Sequence, residues 1–509
     1  MRILLQISTS GVKTYHPFAI RIKEILPDTV FGIASGANVA MEFIKKQNDI
    51  DYWMFEDDSM DVCKNEIDFE ELRKFEETLP NKSLWQVIAT DRVIGRAYLY
   101  GIESYYNKQK SNRSYVLSEF SKKLKRYEQI FDEFKPDIFM PAMAMGDVGV
   151  TIIKQLCDKH KVHYVLPDTL RIQNYCCFTD TPQIVFPIID ETYKKTIQGL
   201  DKDDLKPAKK LYNELVSESD LPNIYDRKMK KVDFNIFIFI RMILVALFLC
   251  TKILFSRAFF RDLKNSLYKI RALILLAFQK IKWDSNNLGT VLDKDQKYMY
   301  YPLHINPEYS TLTQGTMFGN QLTVIEALAK SIPADWIVYV KEHPAMINEV
   351  VRSKFFYNRI QELPNVEFAP PYSDTDILID NAEMIAVING TTGWEAILRG
   401  KPVVTFSDYM FDAMGLSSKC TDLEKLSIKI HDEVNRINKM NKEERKRRIL
   451  TFLSAVINCG FWISYPYQFF YAHSDADKEY QLCGQELAAG FVKYLKYLQN
   501  EKNISFEIY

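Results

Sequence analysis

The chain contains 509 residues, which is enough for roughly two to four domains of ordinary size. Hydrophobic residues make up 47% of it, so a large core can form and the composition argues against global disorder. The 66 basic and 66 acidic residues give a formal net charge of zero, which argues against a nucleic-acid partner bound through overall charge.

The eight cysteines show no C-x-x-C spacing, and only Cys176 and Cys177 are adjacent. This pattern favours reduced thiols in a cytosolic protein over a disulfide framework or a zinc site. The first residues, MRILLQISTSG, predict a strand and a turn rather than a secretory signal, because they lack a long apolar core and a small-residue cleavage site. We therefore expect a cytoplasmic protein.

Residues 1–205 are predicted to form an α/β domain. Apolar runs that predict strands alternate with helical periodicity: strands at 3–7, 29–33, 138–142 and 162–166, helices at 17–26, 118–134 and 150–160. Such alternation predicts a parallel sheet covered on both faces. Ligands of these sheets bind beyond the carboxyl ends of the strands, where we expect Gly11 and Asp147.

Two loop-like stretches of this domain carry charged residues that could face a cleft. They are WQVIATDR (85–92), with Asp91 and Arg92, and TLRIQNYCCFTD (169–180), with Arg171. A solvated ion pair is the alternative role for each of these side chains.

Residues 206–295 break the alternation and are predicted to form a helical insert. The segment 234–255, FNIFIFIRMILVALFLCTKILF, is long enough to span a bilayer, but Arg241 near its middle would be costly there. The stretch 227–282 contains 13 basic and two acidic residues. This composition favours helices that lie in the interface of an anionic membrane. A buried helical hairpin between domains and a true transmembrane span are the alternatives.

Residues 296–480 are predicted to form a second α/β domain, and 481–509 a C-terminal segment whose helix crosses back to the first domain. The predicted elements are strands at 297–303, 336–340, 365–368, 384–388 and 403–406, and helices at 321–331, 374–381, 392–399 and 485–498.

Three strand ends of the second domain carry polar and reactive side chains. They are His304 with Glu308; Lys341, Glu342 and His343; and the loop from Asn389 to Thr392. Because the carboxyl ends of parallel strands lie on one edge, we expect the three groups to converge. Lys341, His304 and His343 could neutralise phosphate charge on a leaving nucleotide. Pro344 would fix the turn that points His343 into the cleft.

The segment 384–406 predicts strand, small polar loop, helix and strand. Free N–H groups at the helix start, near Thr391 and Thr392, form an anion site together with the helix dipole. The small residues there, Gly390 among them, let a phosphate come close. Glu395 lies one turn into the helix, where it could reach a ribose hydroxyl. An ordinary strand–helix joint is the alternative.

Motifs for metals and dinucleotides are missing from the sequence. There is no D-x-D pair in a suitable place, no Walker loop and no G-x-G-x-x-G. The sequence therefore indicates neither a catalytic metal nor a dinucleotide cofactor.

Three motifs together resemble one known family. PLHINPE (302–308), KEHP (341–344) and GTTGWEAILRGKPVVTF (390–406) resemble the capsule-polysaccharide biosynthesis family of bacterial glycosyltransferases, which includes the Kdo transferases of capsule assembly. The resemblance covers roughly residues 298–410, and SLWQVIATDR and TLRIQN are in keeping with it. It implies a GT-B architecture, in which two Rossmann-like domains face each other across a cleft. The donor nucleotide would bind the second domain and the acceptor the first.

The resemblance also implies roles for individual residues. An HP motif that contacts the nucleotide corresponds to His343-Pro344, and a Ser-Ser pair that holds its phosphate corresponds to Thr391-Thr392. Threonine in place of serine keeps the hydroxyl but departs from the pattern of a CMP-linked donor. A glutamine and aspartate pattern on the preceding helix is half matched, by Gln321.

In an inverting transfer, a base on the first-domain side of the cleft must take the proton of the acceptor hydroxyl. Asp147 is the first candidate and Asp91 the second. The alternative role for such an aspartate is to cap the N-terminus of a helix.

These observations predict a metal-independent glycosyltransferase. It would move a sugar from a nucleotide-sugar donor to a growing capsule or other surface polysaccharide, or to a lipid-linked glycan, at the inner face of the membrane, with no cofactor. The stretch 227–282 would bring the protein to that face. The alternatives are a polyol-phosphate transferase of the CDP-glycerol type, a non-hydrolysing sugar-nucleotide epimerase and a non-catalytic scaffold of capsule assembly.

Overall fold

The computed structural model describes these residues: 1–7, 11–36, 38–47, 49–55, 67–91, 113–141, 147–183, 185–199, 205–217, 289–306, 308–343, 346, 352, 354–370, 372–465 and 477–502. The basic apolar stretch 227–282 lies outside these ranges, as do Arg92 and Pro344. Within them, no helix has both the length and the apolar character that crossing a bilayer requires.

The first sheet is parallel and has the strand order β3-β2-β1-β4-β5. Its strands are β1 (Arg2–Gln6), β2 (Val30–Ser35), β3 (Tyr52–Phe55), β4 (Ile138–Pro141) and β5 (His163–Tyr164). The helices of this half are α1 (Val12–Ile25), α2 (Asn38–Ile44), α3 (Phe69–Thr78), α4 (Leu84–Ala89), α5 (Arg113–Phe134) and α6 (Val148–His160). The chain reverses its direction of travel across the sheet between β1 and β4, which is where ligands of doubly wound sheets bind.

The second sheet is also parallel, and its order is β10-β9-β8-β11-β12-β13. Its strands are β8 (Lys297–Pro302), β9 (Trp336–Lys341), β10 (Val366–Phe368), β11 (Met384–Val387), β12 (Val403–Thr405) and β13 (Ser418–Lys419). Its helices are α9 (Gln321–Ala329), α10 (Lys354–Gln361), α11 (Thr375–Asn381), α12 (Thr391–Leu398) and α13 (Leu426–Lys439). The reversal falls between β8 and β11, so those two strand ends flank the expected binding crevice.

A small antiparallel sheet joins the two halves. It consists of β6 (Leu166–Thr169), β7 (Tyr175–Thr179) and β14 (Phe461–Trp462), with β14 arriving after the second sheet is complete. The helices α7 (Pro187–Gly199) and α8 (Lys206–Ser217) follow β7 along the chain. In β14, the ring of Phe461 stacks on Phe178 at 5.0 Å between centroids. The chain therefore ends its second half by pairing with the first.

Two long helices complete this return, α14 (Lys442–Cys459) and α15 (Asp477–Lys502). Arg447 of α14 donates from Nη2 to the carbonyl of Ile197 in α7 at 2.7 Å. Along α15, Phe491 packs edge-on against Phe18 of α1 at 5.5 Å. One cluster of buried apolar side chains contains residues from both parallel sheets. The two halves therefore share a core.

The predicted α/β class with parallel sheets is confirmed, and the predicted helix 485–498 lies within α15. Two stretches that the sequence reading took for loops contain regular elements. Residues 84–89 form α4, whose Leu84, Val87 and Ile88 are buried at helical spacing. Residues 175–179 form β7, which is buried between β6 and β14. The helix α8, assigned above to the insert, buries Ala208, Leu211 and Leu215 in the shared core.

Candidate functional site

Two of the predicted strand ends are in direct contact at the carboxyl edge of the second sheet. His304, just beyond β8, is hydrogen-bonded through Nε2 to the carbonyl oxygen of Asn389, just beyond β11. A Cβ built on Gly390 would lie 3.4 Å from the same ring nitrogen. The third end, beyond β9, places His343 close enough for the charge state of His304 to affect its pKa. The expected convergence of the three groups is therefore present.

The start of α12 has the geometry of an anion site. Gly390 precedes this helix with φ +130° and ψ 171°, a backbone conformation that other residues rarely adopt. No side chain in the described part of the chain caps the start of α12. The first N–H groups of a helix have no intrahelical acceptor and lie at the positive end of its dipole. Thr391 and Thr392 thus start a helix whose N–H groups can bind an anionic ligand by donating hydrogen bonds to it.

The backbone of His304 is held by three side-chain hydrogen bonds. Its N–H donates to Oε1 of Gln321 at 2.7 Å, and Nε2 of Gln321 donates back to its carbonyl at 3.1 Å. The same carbonyl accepts from Nη2 of Arg352 at 2.6 Å. Gln321, which matched half of the family pattern, therefore orients the histidine.

The imidazole of His304 is a neutral acceptor near neutral pH. The pKa of His304 is lowered to about 4, mainly by burial; the bond to Asn389 opposes this shift and the positive charge of Arg352 adds to it. Since Nε2 faces a carbonyl, it must carry the proton, and Nδ1 is left as an acceptor. Nδ1 is buried and has no hydrogen-bond partner among the described residues.

The second histidine is neutral for similar reasons. The pKa of His343 is lowered to about 4. Burial is the largest cause, and the nearby charges of His304, Lys341 and Arg352 lower the pKa as well. Its backbone N–H donates to Oε1 of Glu342 at 2.8 Å. The histidines thus supply hydrogen bonds, and the neutralisation of phosphate charge falls to Lys341 and the helix start. Nζ of Lys341 is bonded to Oγ1 of Thr375 at 2.7 Å.

Glu342 is a fully buried carboxylate whose contacts are all with the protein itself. Its side chain accepts from Nε of Arg352 at 2.8 Å and from Oη of Tyr357 at 2.9 Å. Together with the bond from the N–H of His343, these contacts occupy both oxygens. Glu342 therefore holds the turn beyond β9 in place through buried hydrogen bonds.

A π-helical turn, 310–314, covers the loop between β11 and α12. Nδ2 of Asn389 reaches the carbonyl of Ser310 at 3.1 Å, Oε1 of Gln314 at 3.0 Å and Oγ of Ser407 at 3.2 Å. Within the described residues, Oδ1 of Asn389 and Nε2 of Gln314 are buried without a hydrogen-bond partner. Single π-helical turns occur frequently at functional sites.

Two other predicted carboxylates lie at the border of this site. Oε2 of Glu308 accepts from Oγ of Ser310 at 3.0 Å, at the start of the π-helical turn. Glu395 is only 3% exposed, and its charge helps to raise the pKa of Tyr300 and of Tyr409, after burial. Glu395 thus lies beneath α12 beside two tyrosines.

Two of the predicted residues of the first half, Asp147 and Asp91, lie at the start of α6. Asp147 is the N-cap of that helix and accepts from the N–H of Gly149 at 2.7 Å. Asp91 is completely buried and accepts from the N–H of Val148 at 3.0 Å. Both carboxylates therefore bind helix N–H groups, the role that the sequence left as the alternative for an aspartate. Gly11 precedes α1, and its carbonyl accepts from Thr14 and Tyr15.

A carboxylate that the sequence reading missed lies where the two halves meet. Burial raises the pKa of Asp168 on β6, and the nearby charge of Arg171 opposes that rise. The charge of Asp168 helps in turn to raise the pKa of Tyr309 and of Tyr409, which belong to the second half. Arg171 adopts a positive φ of 56°. In the sequence, Asp168 comes directly before the TLRIQN stretch, and this position was the available signal for it.

The other residues missed at this site are Arg352, Gln314 and Ser407. Each acts through a contact distant in the sequence, so no local pattern marks it. Among the described residues, no three His, Cys, Asp or Glu side chains are grouped so as to hold a metal ion.

Comparison with known proteins identifies a family for part of the chain. The model of the family described as "Capsule polysaccharide biosynthesis protein" matches residues 254–440, which confirms the resemblance predicted from the sequence. Over 108 residues the chain is 32% identical to Protein FixF of Sinorhizobium fredii. That segment makes up 21% of this chain and 25% of FixF, so the match spans a quarter of that relative.

Solved structures give weaker likenesses over more of the chain. The beta Kdo 2,7 transferase of Thermosulfurimonas dismutans KpsC has a TM-score of 0.34 and 12% identity, covering 73% of this chain and 89% of that one. A glycosyltransferase from Rickettsia africae ESF-5 has a TM-score of 0.28 and 11% identity, covering 98% and 99%. At such scores neither structure identifies a reaction or a substrate for this chain.

Proposed function

We propose that this chain is a glycosyltransferase that moves a sugar from a nucleotide-sugar donor during the assembly of a capsule or related surface polysaccharide. The observation that carries the proposal is the meeting of His304, His343 and the uncapped start of α12 at the reversal point of the second sheet. The match of residues 254–440 to the capsule family supports it. Two parallel sheets with the same strand order, joined by a returning helix pair, support a GT-B arrangement.

In this proposal the second sheet holds the donor. The N–H groups at Thr391 and Thr392 bind the phosphate of the nucleotide, and Lys341 supplies the nearby positive charge. The neutral rings of His304 and His343 give hydrogen bonds to the nucleotide sugar. As the sugar–phosphate bond breaks, negative charge grows on the leaving phosphate and is stabilised by the helix start without a metal.

The first sheet holds the acceptor. In an inverting transfer, the acceptor hydroxyl attacks the anomeric carbon while a carboxylate takes its proton. We assign that carboxylate to Asp168, because its charge helps to raise the pKa of two tyrosines of the other half, Tyr309 and Tyr409, and its own raised pKa suits a base. Asp147 and Asp91 bind N–H groups at the start of α6, and the charge of Arg171 opposes the rise in the pKa of Asp168. Glu342, Glu395 and Glu308 support the donor site from its border.

Nucleotide binding tests the proposal. UDP-, GDP-, CMP- and CDP-linked compounds are screened for their effect on thermal unfolding, since a ligand at 100 times its Kd adds about 2.7 kcal/mol to the free energy of unfolding. We expect one nucleotide class to stabilise the protein. His343→Ala should weaken its binding about tenfold, the equivalent of one hydrogen bond. His431→Ala, at an exposed position of α13, is the matched control. Stabilisation by none of the four classes would overturn the proposal.

We also propose that the stretch 227–282 brings the protein to the inner face of the membrane, near a lipid-linked acceptor. The support is its 13 basic residues beside long apolar runs. Flotation with anionic and with neutral vesicles tests this, using the intact protein and a variant with polar substitutions in 234–255. Binding to anionic vesicles that the variant loses is the expected result. Equal flotation of both proteins contradicts the proposal.

A further inference from the structure

Arg352 is a buried arginine, and its side chain is only 2% exposed. Nε donates to Oε2 of Glu342 at 2.8 Å, and Nη2 donates to Oε1 of the same carboxylate at 3.3 Å. Nη2 also donates to the carbonyl of His304 at 2.6 Å. The guanidinium lies 4.9 Å from the ring centre of Phe356. A planar guanidinium suits such a fixed, forked set of acceptors better than a lysine ammonium.

These contacts join the two strand ends that carry the histidines. The strand pairing extends to Pro302 opposite Lys341, and the N–H of Leu303 donates to the carbonyl of Lys341 at 2.8 Å. Beyond it, Arg352 binds His304 directly and reaches His343 through Glu342, whose Oε1 accepts from the N–H of His343. Arg352 therefore cross-links the two ends just after the strand pairing stops.

The charge of Arg352 acts on both imidazole rings as well. The groups that affect His304 are the carbonyl of Asn389 and the guanidinium of Arg352. Those that affect His343 are His304, Lys341 and Arg352. In each case a nearby positive charge disfavours a second one on the ring. The carboxylate of Glu342 forms an ion pair with the guanidinium and so neutralises the buried positive charge of Arg352.

We propose that Arg352 is the positioning residue of the donor site, fixing His304 relative to His343 through its bonds to the His304 carbonyl and to Glu342, and placing its positive charge beside both rings. The proposal rests on the proposed function of this site as a nucleotide-sugar site. A ligand that binds there would meet two uncharged rings in a fixed geometry, with positive charge supplied only from Lys341 and from the start of α12. This arrangement selects a ligand whose phosphate lies at the helix start and whose hydroxyl groups lie at the histidines.

Titration of the histidine rings, followed by NMR on protein with isotope-labelled histidine, tests the effect on charge without needing activity. The chain has seven histidines, and His304→Gln and His343→Gln assign the two signals. In the intact protein both should titrate at about pH 4. The variant Arg352→Met/Glu342→Gln removes both buried charges at once and so avoids leaving one unpaired. Both midpoints should rise, while burial, the larger cause, still holds them below the ordinary value of about 6.5.

A second pair in the chain provides the matched control. Arg436 binds buried Glu433 through Nε and Nη2 at 2.7 to 2.9 Å and donates from Nη1 to the carbonyl of Gly415 at 2.6 Å. Like Arg352, Arg436 thus binds a buried carboxylate and a backbone carbonyl, although its own side chain is 37% exposed. Arg436→Met/Glu433→Gln should leave both midpoints unchanged. Unchanged midpoints in the folded Arg352→Met/Glu342→Gln variant would overturn the proposal.

Arg352→Lys separates charge from geometry, because lysine keeps the positive charge but cannot bridge two partners with a rigid fork. The midpoints should stay low in this variant, while the affinity for the stabilising nucleotide falls by roughly 10- to 100-fold. Full affinity in Arg352→Lys would overturn the positioning role. If the intact protein binds no nucleotide, the proposed function fails, and the titration still decides whether Arg352 controls the two rings.

Discussion

At the residue scale, Gly390 adopts a backbone conformation that residues with a side chain rarely adopt, and it lies next to His304. Its φ of +130° is strained for any residue with a Cβ, and that Cβ would lie 3.4 Å from Nε2 of His304. We expect Gly390→Ala to lower the free energy of unfolding by about 1–3 kcal/mol and to weaken nucleotide binding. Urea unfolding and calorimetry measure the two effects.

The control for this change is Gly415→Ala, at another glycine of positive φ, +61°, that precedes no part of the site. It should cost about 1–2 kcal/mol of stability and leave nucleotide affinity unchanged. Equal loss of affinity in both variants would mean that strain alone, rather than the position of Gly390, accounts for the result.

The histidine pair makes stability depend on pH. Both folded-state pKa values lie near 4, below the unfolded value of about 6.5, so the unfolded chain binds more protons in between. Stability should therefore rise with pH through this range, and the pair should contribute a loss of a few kcal/mol on acidification. Urea unfolding at several pH values measures the slope.

Two buried carboxylates act in the opposite direction over part of the same range. Burial raises the pKa of Asp190 and of Asp412 to about 6, so both favour the folded state at low pH and lose that effect as pH rises. The prediction therefore concerns the difference in the pH dependence of stability between the intact protein and two histidine variants. His304→Gln and His343→Gln should each have a shallower rise than the intact chain, and identical slopes would contradict the neutral histidines.

At the element scale, Asn389 fastens the π-helical turn 310–314 to the loop between β11 and α12. The two N–H groups of its Nδ2 are shared among three acceptors that lie 3.0 to 3.2 Å away. Asn389→Asp removes the donor and sets a carboxylate against those oxygens, which should cost on the order of 3 kcal/mol and weaken nucleotide binding. Asn365→Asp breaks a single bond, to the carbonyl of Ala329 at 2.7 Å, and should leave nucleotide binding unchanged. Denaturation and calorimetry of both variants provide the comparison.

The same elements explain how much the sequence could predict. The ends of β8, β9 and β11 were predicted because apolar runs stop at polar residues, a pattern that is local. Their convergence followed from the rule for parallel sheets. Arg352 and Asp168 could not be found this way, since their roles depend on partners in other elements. Residues 175–179 were taken for a loop because strand β7 is short and begins inside a polar stretch.

At the scale of the whole molecule, the chain is organised so that the donor site and the junction between halves are built from different residues. His304, His343, Asn389 and the start of α12 all belong to the second sheet and its connections. The return of the chain depends on α14, β14 and α15, which pack on the first half, and Phe452 of α14 also contacts Trp394 of α12 at 5.7 Å between ring centres. The proposed transfer needs both, because donor and acceptor must meet between the halves.

This separation gives the last prediction, which concerns Gly484 of α15. A Cβ there would lie 2.7 Å from the carbonyl oxygen of Thr14 and 2.8 Å from the N of Phe18, so Gly484→Ala must push α15 away from α1. We expect a loss of about 1–3 kcal/mol in stability and faster hydrogen exchange in both helices. Sugar transfer should fall, while nucleotide affinity stays unchanged because the donor site is not touched. Gln485→Ala, at the exposed neighbouring position, should change neither quantity. A parallel loss of nucleotide affinity in Gly484→Ala would show that the second sheet depends on this junction for its own shape.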